Sequence, residues 1–145
     1  MLIFTIILFW CIGILWEIVI FYFPNSSFFL PLLKYNYSIV CHTQSEKLFS
    51  YSSFHTLVCS RCSGIYFGAL ISAFLIIIGF YKGVSTKFLI FSSLPMLFDV
   101  FFSSLSIYDY SHTIALFTGL LLGSTGFFYI HTSLIQIILN HKEKN

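Results

Sequence analysis

The chain has 145 residues, of which 58% are hydrophobic, 21% aromatic and only 8% charged, and its mean hydropathy is +0.93. Soluble domains carry about 25% charged residues, so this composition excludes a soluble domain and requires that the apolar excess face lipid. The formal net charge of +2, without any basic run, excludes a nucleic-acid partner. We predict an integral membrane protein whose partner is the lipid bilayer.

The first predicted element is a helix over roughly residues 2–23. At about 1.5 Å per residue it is long enough to cross a hydrocarbon core of about 30 Å. It has no basic start and no small-residue cleavage site, so we interpret it as a retained span and not as a signal peptide. Glu17 interrupts the helix, and an ionisable side chain there needs a polar partner, a water-filled cavity or a place near the hydrated interface.

Residues 24–62 differ in composition from the first helix. Pro24 ends that helix, and tyrosines, serines, histidines and mixed charges then appear among single hydrophobic residues. No stretch is long enough to span a bilayer, and the aromatic content suits the headgroup level of a membrane. We predict an interfacial segment.

Three further spans are predicted over roughly residues 63–80, 88–107 and 112–138. Gly64 and Gly68 form a G-x-x-x-G pattern, which allows another backbone to approach closely. The turn between the third and fourth spans is short, so these two should pack antiparallel. The predicted fold class is therefore an all-α integral membrane protein with four transmembrane helices. It forms a single membrane domain over residues 1–145, with an interfacial Cys/His-containing segment between helices 1 and 2.

The basic residues favour one orientation of the four spans. Four lie on the side of both termini and three on the other: Lys82, Lys87, Lys142 and Lys144, then Lys34, Lys47 and Arg61. The positive-inside rule then predicts a protein of the cell (inner or plasma) membrane with cytoplasmic termini and an outward-facing cysteine segment. Other membrane protein subunits remain open as partners.

Cysteine and histidine cluster in the interfacial segment. Cys59 and Cys62 form a C-x-x-C pair, and Cys41 with His42 supplies two further donors. Thiolate and imidazole are the usual zinc ligands, and a structural zinc ion takes four of them in a tetrahedron. We therefore predict zinc bound by these four residues. Adjacent residues seldom both reach one ion, so His55 is an alternative fourth ligand.

Other chemistry of the same cysteines stays open. A C-x-x-C pair can cycle between dithiol and disulfide, and Arg61 between the two cysteines would favour a thiolate. A structural disulfide or inert thiols are also compatible with the pattern. A c-type haem is disfavoured, because Ser63 stands where the histidine of C-x-x-C-H should be. Cys11 lies in an apolar run and is interpreted as a buried, inert thiol.

Helix depth indicates a second cluster. Glu17, Asp99 and Thr118 each lie roughly 9–12 Å below the outer surface if the predicted spans end as given. Two carboxylates at one depth should face inward and meet a cation, for which Arg61 is the nearest candidate. Such a cluster would either fix helix packing or line a functional cavity, and Thr118 could simply bond its own helix backbone.

Several short motifs resemble a known family. They are CH at 41–42, E-K-x-F at 46–49, C-S-R-C-S-G-I-Y at 59–66, L-P-M-x-x-D at 94–99 and S-H-x-x-x-x-x-T-G at 111–119. In this order, over roughly residues 41–123, they resemble the small membrane proteins grouped as the domain of unknown function two-zero-eight-five. The resemblance implies a polytopic bacterial or archaeal membrane protein with matching residues at Cys41, His42, Glu46, Cys59, Arg61, Cys62, Gly64, Asp99, Thr118 and Gly119.

Three positions depart from the family pattern. Lys47 and Ala115 stand where arginines are expected, and Val100 stands where a glycine is expected. If those arginines bind an anion in the family, this chain has lost or altered that activity. The departures therefore favour a binding role over catalysis.

The leading hypothesis is a binding or accessory protein whose zinc staples the interfacial segment onto the helices. One alternative is a metal-dependent membrane enzyme that acts on a lipid-linked or phosphorylated substrate, with Asp99, Arg61 and Glu46 as catalytic candidates. In that version a metal-bound water, or Asp99 as general base, acts on the substrate, while Arg61 and Lys47 hold a phosphate. The other alternative is a membrane thiol–disulfide redox protein.

Overall fold

A computed structural model describes residues 2–41, 48–51, 54–80, 83–105 and 109–143. Its elements in chain order are α1 (Leu2–Ile14), α2 (Trp16–Tyr22), a 3₁₀ helix (Pro24–Phe29), α3 (Leu30–Val40), β1 (Leu48–Tyr51), β2 (Phe54–Cys59), α4 (Ser60–Ile77), α5 (Thr86–Ser104) and α6 (His112–Glu143). Three helices of this described part, namely α4, α5 and α6, are long and apolar enough to cross a membrane, and α1 with α2 would add a fourth if the pair is one span. The protein is therefore mostly helical and membrane-spanning.

The first predicted helix is in fact two helices. The chain bends by 71° between α1 and α2, at Leu15, so the single helix predicted over residues 2–23 is wrong. The bend lets Glu17 leave the line of α1 and accept a hydrogen bond from the backbone N–H of His55 at 2.7 Å. Its carboxylate also lies 3.7 Å from the Lys34 ammonium. An acid in an apolar stretch thus obtains polar partners, and it stands in the first turn of α2, where the helix dipole favours a negative charge.

The segment predicted over residues 24–62 contains the 3₁₀ helix, α3 and an antiparallel hairpin of β1 and β2. Its predicted end is wrong by three residues, since α4 begins at Ser60 and not at residue 63. Ser60 and Arg61 both have side-chain partners on other helices. These tertiary contacts hold the C-x-x-C turn in helical geometry, which sequence composition alone does not indicate.

The helices α4 and α6 pack at close backbone distance. Gly64 faces the backbone of Leu116 and Leu120, and Gly123 faces the backbone of Ile65. A Cβ at either glycine would overlap a carbonyl oxygen of the other helix. Contacts advance in the same direction along both helices, so α4 and α6 run parallel. The packing role predicted for the G-x-x-x-G pattern is confirmed, and we call this contact the glycine seam.

Gly123→Ala is expected to lower the stability of the purified protein by about 1–3 kcal/mol, because the added methyl group must push α6 away from Ile65. Gly126→Ala on the same helix is the matched control, since a Cβ there meets nothing within 4 Å. Thermal unfolding in detergent compares the two variants. Equal midpoints for both would contradict the glycine seam.

The helix α5 is held mainly by polar side chains. Its buried residues are Ser92 and Asp99. The hydroxyl oxygens of Ser92 and Thr125 lie 3.0 Å apart, and those of Thr86 and Tyr129 lie 3.3 Å apart. The partner on α6 moves back from Tyr129 to Thr125 as α5 advances from Thr86 to Ser92, which confirms the predicted antiparallel pair. In lipid, where apolar side chains gain little from helix contact, such polar contacts set the position of a helix.

A buried apolar cluster joins α1, α3 and β2 at the start of α4. Its members are Ile14, Tyr37, Cys41, Leu57 and Val58. The Tyr37 hydroxyl donates to the Trp10 carbonyl at 2.7 Å, and Gly13 makes this approach feasible because a Cβ there would overlap that hydroxyl. The cluster holds the end of α3, and Cys41 with it, against α4.

Candidate metal centre

Three cysteine sulfurs converge where α3, β2 and α4 meet. The Sγ atoms of Cys41, Cys59 and Cys62 all lie within 4.8 Å of one another. Cys41 is only 5% exposed, the other two are half-buried, and all three are free thiols. Zinc with Zn–S bonds of about 2.3 Å would set tetrahedral sulfur ligands about 3.8 Å apart. A contraction of at most about 1 Å would therefore bring the sulfurs to zinc-binding distances.

Local backbone geometry places each sulfur. Cys41 directly follows α3 in an extended conformation (φ −140°, ψ 131°), and its N–H donates to the Tyr37 carbonyl at 3.0 Å. Cys59 is the last residue of β2 and precedes α4 with φ −62° and ψ 156°. Its N–H donates to Cys41 Sγ at 3.3 Å, while Cys62 follows in the first turn of α4. The hydrogen bond to sulfur orients Cys41 toward the C-x-x-C pair.

The clustered thiols differ in pKa, because hydrogen bonds between them favour the thiolate form of one cysteine. Hydrogen bonds from the thiols of Cys41 and Cys62 hold the pKa of Cys59 well below its usual range, because they stabilise its thiolate. The hydrogen bond to Cys59 raises the pKa of Cys41, and burial raises that pKa further. A thiolate between two thiols attracts a cation, and a metal ion that displaces the remaining protons would gain three thiolate ligands.

The fourth ligand is a matter of prediction. His42 and Glu46 lie outside the described residues, so the ligand role of the first and the catalytic role of the second stay predictions. Among the described residues, the donor group consists of the three cysteines. His55, the alternative ligand, is not in that group, and its side chain lines a separate cavity. Cys11 is buried and also lies outside the group.

A buried ion pair lies beside the cysteines. The Nε atom of Arg61 donates to Oδ2 of Asp99 at 3.0 Å, and Nη2 contacts the same oxygen. The two side chains are 15% and 2% exposed, and the guanidinium carbon lies 5.5 Å from the centre of the Tyr110 ring. The contact expected between Arg61 and Asp99 is thus present. Removing one member of such a pair leaves an uncompensated buried charge.

The larger acidic cluster predicted at this depth is wrong. Glu17 does not join Arg61, because the bend at Leu15 directs its carboxylate toward Lys34 and the β2 backbone. Thr118 donates to the Ala115 carbonyl of its own helix at 3.2 Å. This backbone bond is the simpler of the two roles expected for Thr118.

Sequence reasoning missed two polar side chains next to the cysteines. Ser60 is fully buried, and its Oγ lies 3.0 Å from Nδ1 of His112 at the start of α6. The Tyr110 ring stands perpendicular to the His112 ring at 5.1 Å. The sequence signal that could have indicated Ser60 as part of the site is its position inside the C-x-x-C motif, between Cys59 and Arg61. The two residues inside C-x-x-C therefore contact different helices, α6 through Ser60 and α5 through Arg61.

Known proteins resemble this chain over the region that carries the site. A family model described as a predicted membrane protein, DUF2085, matches residues 41–129. An uncharacterized protein of Methanocaldococcus jannaschii is 29% identical over 108 residues, which cover 70% of this chain and 68% of that protein. No solved structure matches the chain significantly. The family match covers more than half of the chain and includes all three clustered cysteines, so the chain belongs to the DUF2085 family of predicted membrane proteins.

Proposed function

We propose that this protein is a metal-binding membrane protein with a binding or accessory role, in which zinc is held by Cys41, His42, Cys59 and Cys62. The observation that carries the proposal is the convergence of three sulfurs within 4.8 Å. Thiolate and imidazole donors in a tetrahedral set favour zinc over the hard cations, which prefer oxygen.

The proposed ion joins segments that are separate along the chain. Cys41 directly follows α3, Cys59 ends β2, and Cys62 lies in the first turn of α4. Bonds from one ion to all three would tie α3 and the hairpin to a membrane-spanning helix. The role is therefore that of a staple, which keeps the segment between α2 and α4 in one conformation.

The proposal includes an arrangement in the membrane. Here α1 and α2 count as one span, which makes four spans, and residues 24–59 lie at the outer surface of the cell membrane with both termini in the cytoplasm. The exposed aromatic side chains of this segment and the lysine distribution support that arrangement. The surface opposite the glycine seam would then contact lipid or other membrane protein subunits.

The ion pair weighs against the enzyme alternative. Asp99 is nearly completely buried and accepts hydrogen bonds from Arg61, so it would have to release the guanidinium before acting as a general base. A thiol redox role is the second candidate function, because the same thiols are free and close together. Metal content separates the staple from the redox protein.

Elemental analysis of protein purified in detergent is expected to find one zinc ion per chain. Cys59→Ser and Cys62→Ser should each abolish stoichiometric zinc, because each removes a thiolate ligand. Cys11→Ser is the matched control, since Cys11 is a buried cysteine outside the group, and it should retain the ion. A metal-free protein with a Cys59–Cys62 disulfide that forms and breaks with the redox buffer would replace the proposal by the redox function.

A further inference from the structure

A cavity lies between α2, α3 and the hairpin of β1 and β2, apart from the cysteines. Its volume is about 400 Å³, within the range of small-molecule sites. Its polar lining residues are Glu17, Lys34, Ser38, His55 and Thr56. None of these residues belongs to the proposed zinc ligands, so the cavity is a separate feature.

The cavity carries charges of both signs. Glu17 is held in place, since its Oε2 accepts the His55 backbone N–H at 2.7 Å. Its Oε1 lies 3.7 Å from Lys34 Nζ, which is within ion-pair range but too long for a hydrogen bond. The Lys34 side chain is 56% exposed, so its ammonium keeps hydrogen-bond donors for an incoming anion. One ligand could therefore meet a carboxylate and an ammonium in the same cavity.

The surroundings of the cavity suit a membrane surface. The segments that flank it expose large aromatic side chains, namely Phe21, Tyr22, Phe23, Phe28, Phe29 and Tyr35. Aromatic residues concentrate at the headgroup level of bilayers. A charged cavity inside such a surface lies where lipid headgroups are abundant.

We propose that this cavity binds the phosphoethanolamine headgroup of a membrane lipid. Glu17 would accept hydrogen bonds from the primary ammonium, while Lys34 and the His55 imidazole would contact the phosphate. A choline headgroup cannot donate hydrogen bonds to Glu17. A purely anionic headgroup would bring a second negative charge next to the Glu17 carboxylate, with only the Lys34 ammonium to offset both. The pattern of charges thus selects a zwitterion with a primary amine.

Native mass spectrometry of the metal-loaded protein in detergent tests the proposal. Phosphatidylethanolamine, phosphatidylcholine and phosphatidylglycerol with identical acyl chains are titrated separately. We expect the ethanolamine lipid to bind about tenfold more tightly than the choline lipid, which is the effect of one charge-assisted hydrogen bond. Glu17→Gln should remove this preference while its amide oxygen still accepts the His55 N–H.

Two further variants separate binding from folding. Lys34→Met, at a half-exposed position, should lower the affinity for the ethanolamine lipid about tenfold without loss of zinc. Lys87→Met, in the first turn of α5, is the matched control and should change neither the lipid affinities nor the zinc content. Equal affinity for ethanolamine and choline lipids, tighter binding of phosphatidylglycerol, or an unchanged preference in Glu17→Gln would each overturn the proposal. Competition by soluble phosphoethanolamine at the same concentration as the lipid would overturn it in favour of a soluble ligand.

Discussion

Cys59→Ser is expected to lower the thermal midpoint of the purified protein by about 10 °C or more, and a strong zinc chelator should do the same to the unaltered protein. Structural zinc sites contribute many kcal/mol to folding. For a chain of this size each kcal/mol shifts the midpoint by roughly 2–4 °C. Fluorescence-monitored unfolding in detergent, with and without chelator, measures both effects.

The two treatments should not add, because both remove the same staple. Chelator should therefore leave the midpoint of Cys59→Ser unchanged. Cys11→Ser controls for the loss of a buried thiol as such, and it should keep the chelator response. The zinc staple would be contradicted if Cys59→Ser had the same thermal midpoint as the unaltered protein and if chelator left the midpoint of the unaltered protein unchanged.

Asp99→Ala is expected to destabilise the protein by about 3–5 kcal/mol, because it leaves the Arg61 guanidinium buried without its partner. Replacing both members, as in Arg61→Met with Asp99→Ala, should recover much of that loss, since no unpaired charge then remains. A double-mutant cycle measured by unfolding in mixed micelles gives the coupling energy.

The loosely paired Glu17 and Lys34 provide a comparison on the same protein. The Lys34 side chain of this pair is half-exposed, so Lys34→Met should lower the free energy of unfolding by only about 0–1 kcal/mol. An Asp99→Ala variant that is no less stable than Lys34→Met would show that the Arg61 charge is hydrated or neutralised in another way. A double variant worse than the sum of the singles would likewise exclude a simple ion pair.

Hydropathy and short motifs predicted the parts of the structure that depend on local sequence. Three of the four predicted spans correspond to α4, α5 and α6, because an apolar stretch of about 20 residues matches the length of a transmembrane helix. The C-x-x-C spacing alone brings Cys59 and Cys62 together across one helical turn. Adding Cys41 required only the assumption that the intervening segment folds back.

Contacts between distant residues were beyond the sequence. Beyond the bend at Leu15, Glu17 accepts a hydrogen bond from His55, which lies 38 positions later in the chain. The early start of α4 depends on Ser60 meeting His112, 52 positions later. The inward cluster expected from helix depth does not include Glu17, because the estimate assumed an unbroken helix, whereas the expected contact of Asp99 with Arg61 is present.

The parallel course of α4 and α6 has a consequence for membrane insertion. Two parallel spans cannot meet until the helix between them has returned the chain across the bilayer. As the chain emerges, α4 therefore enters lipid before α6 is present to form the glycine seam. Its neighbours at that stage are α1, whose Phe4 and Trp10 rings lie near Phe74 and Tyr66 of α4, and then α5. Because α5 brings Asp99 to Arg61, the arginine is neutralised at that intermediate stage. We therefore expect the Arg61–Asp99 pair to form before the glycine seam during membrane insertion.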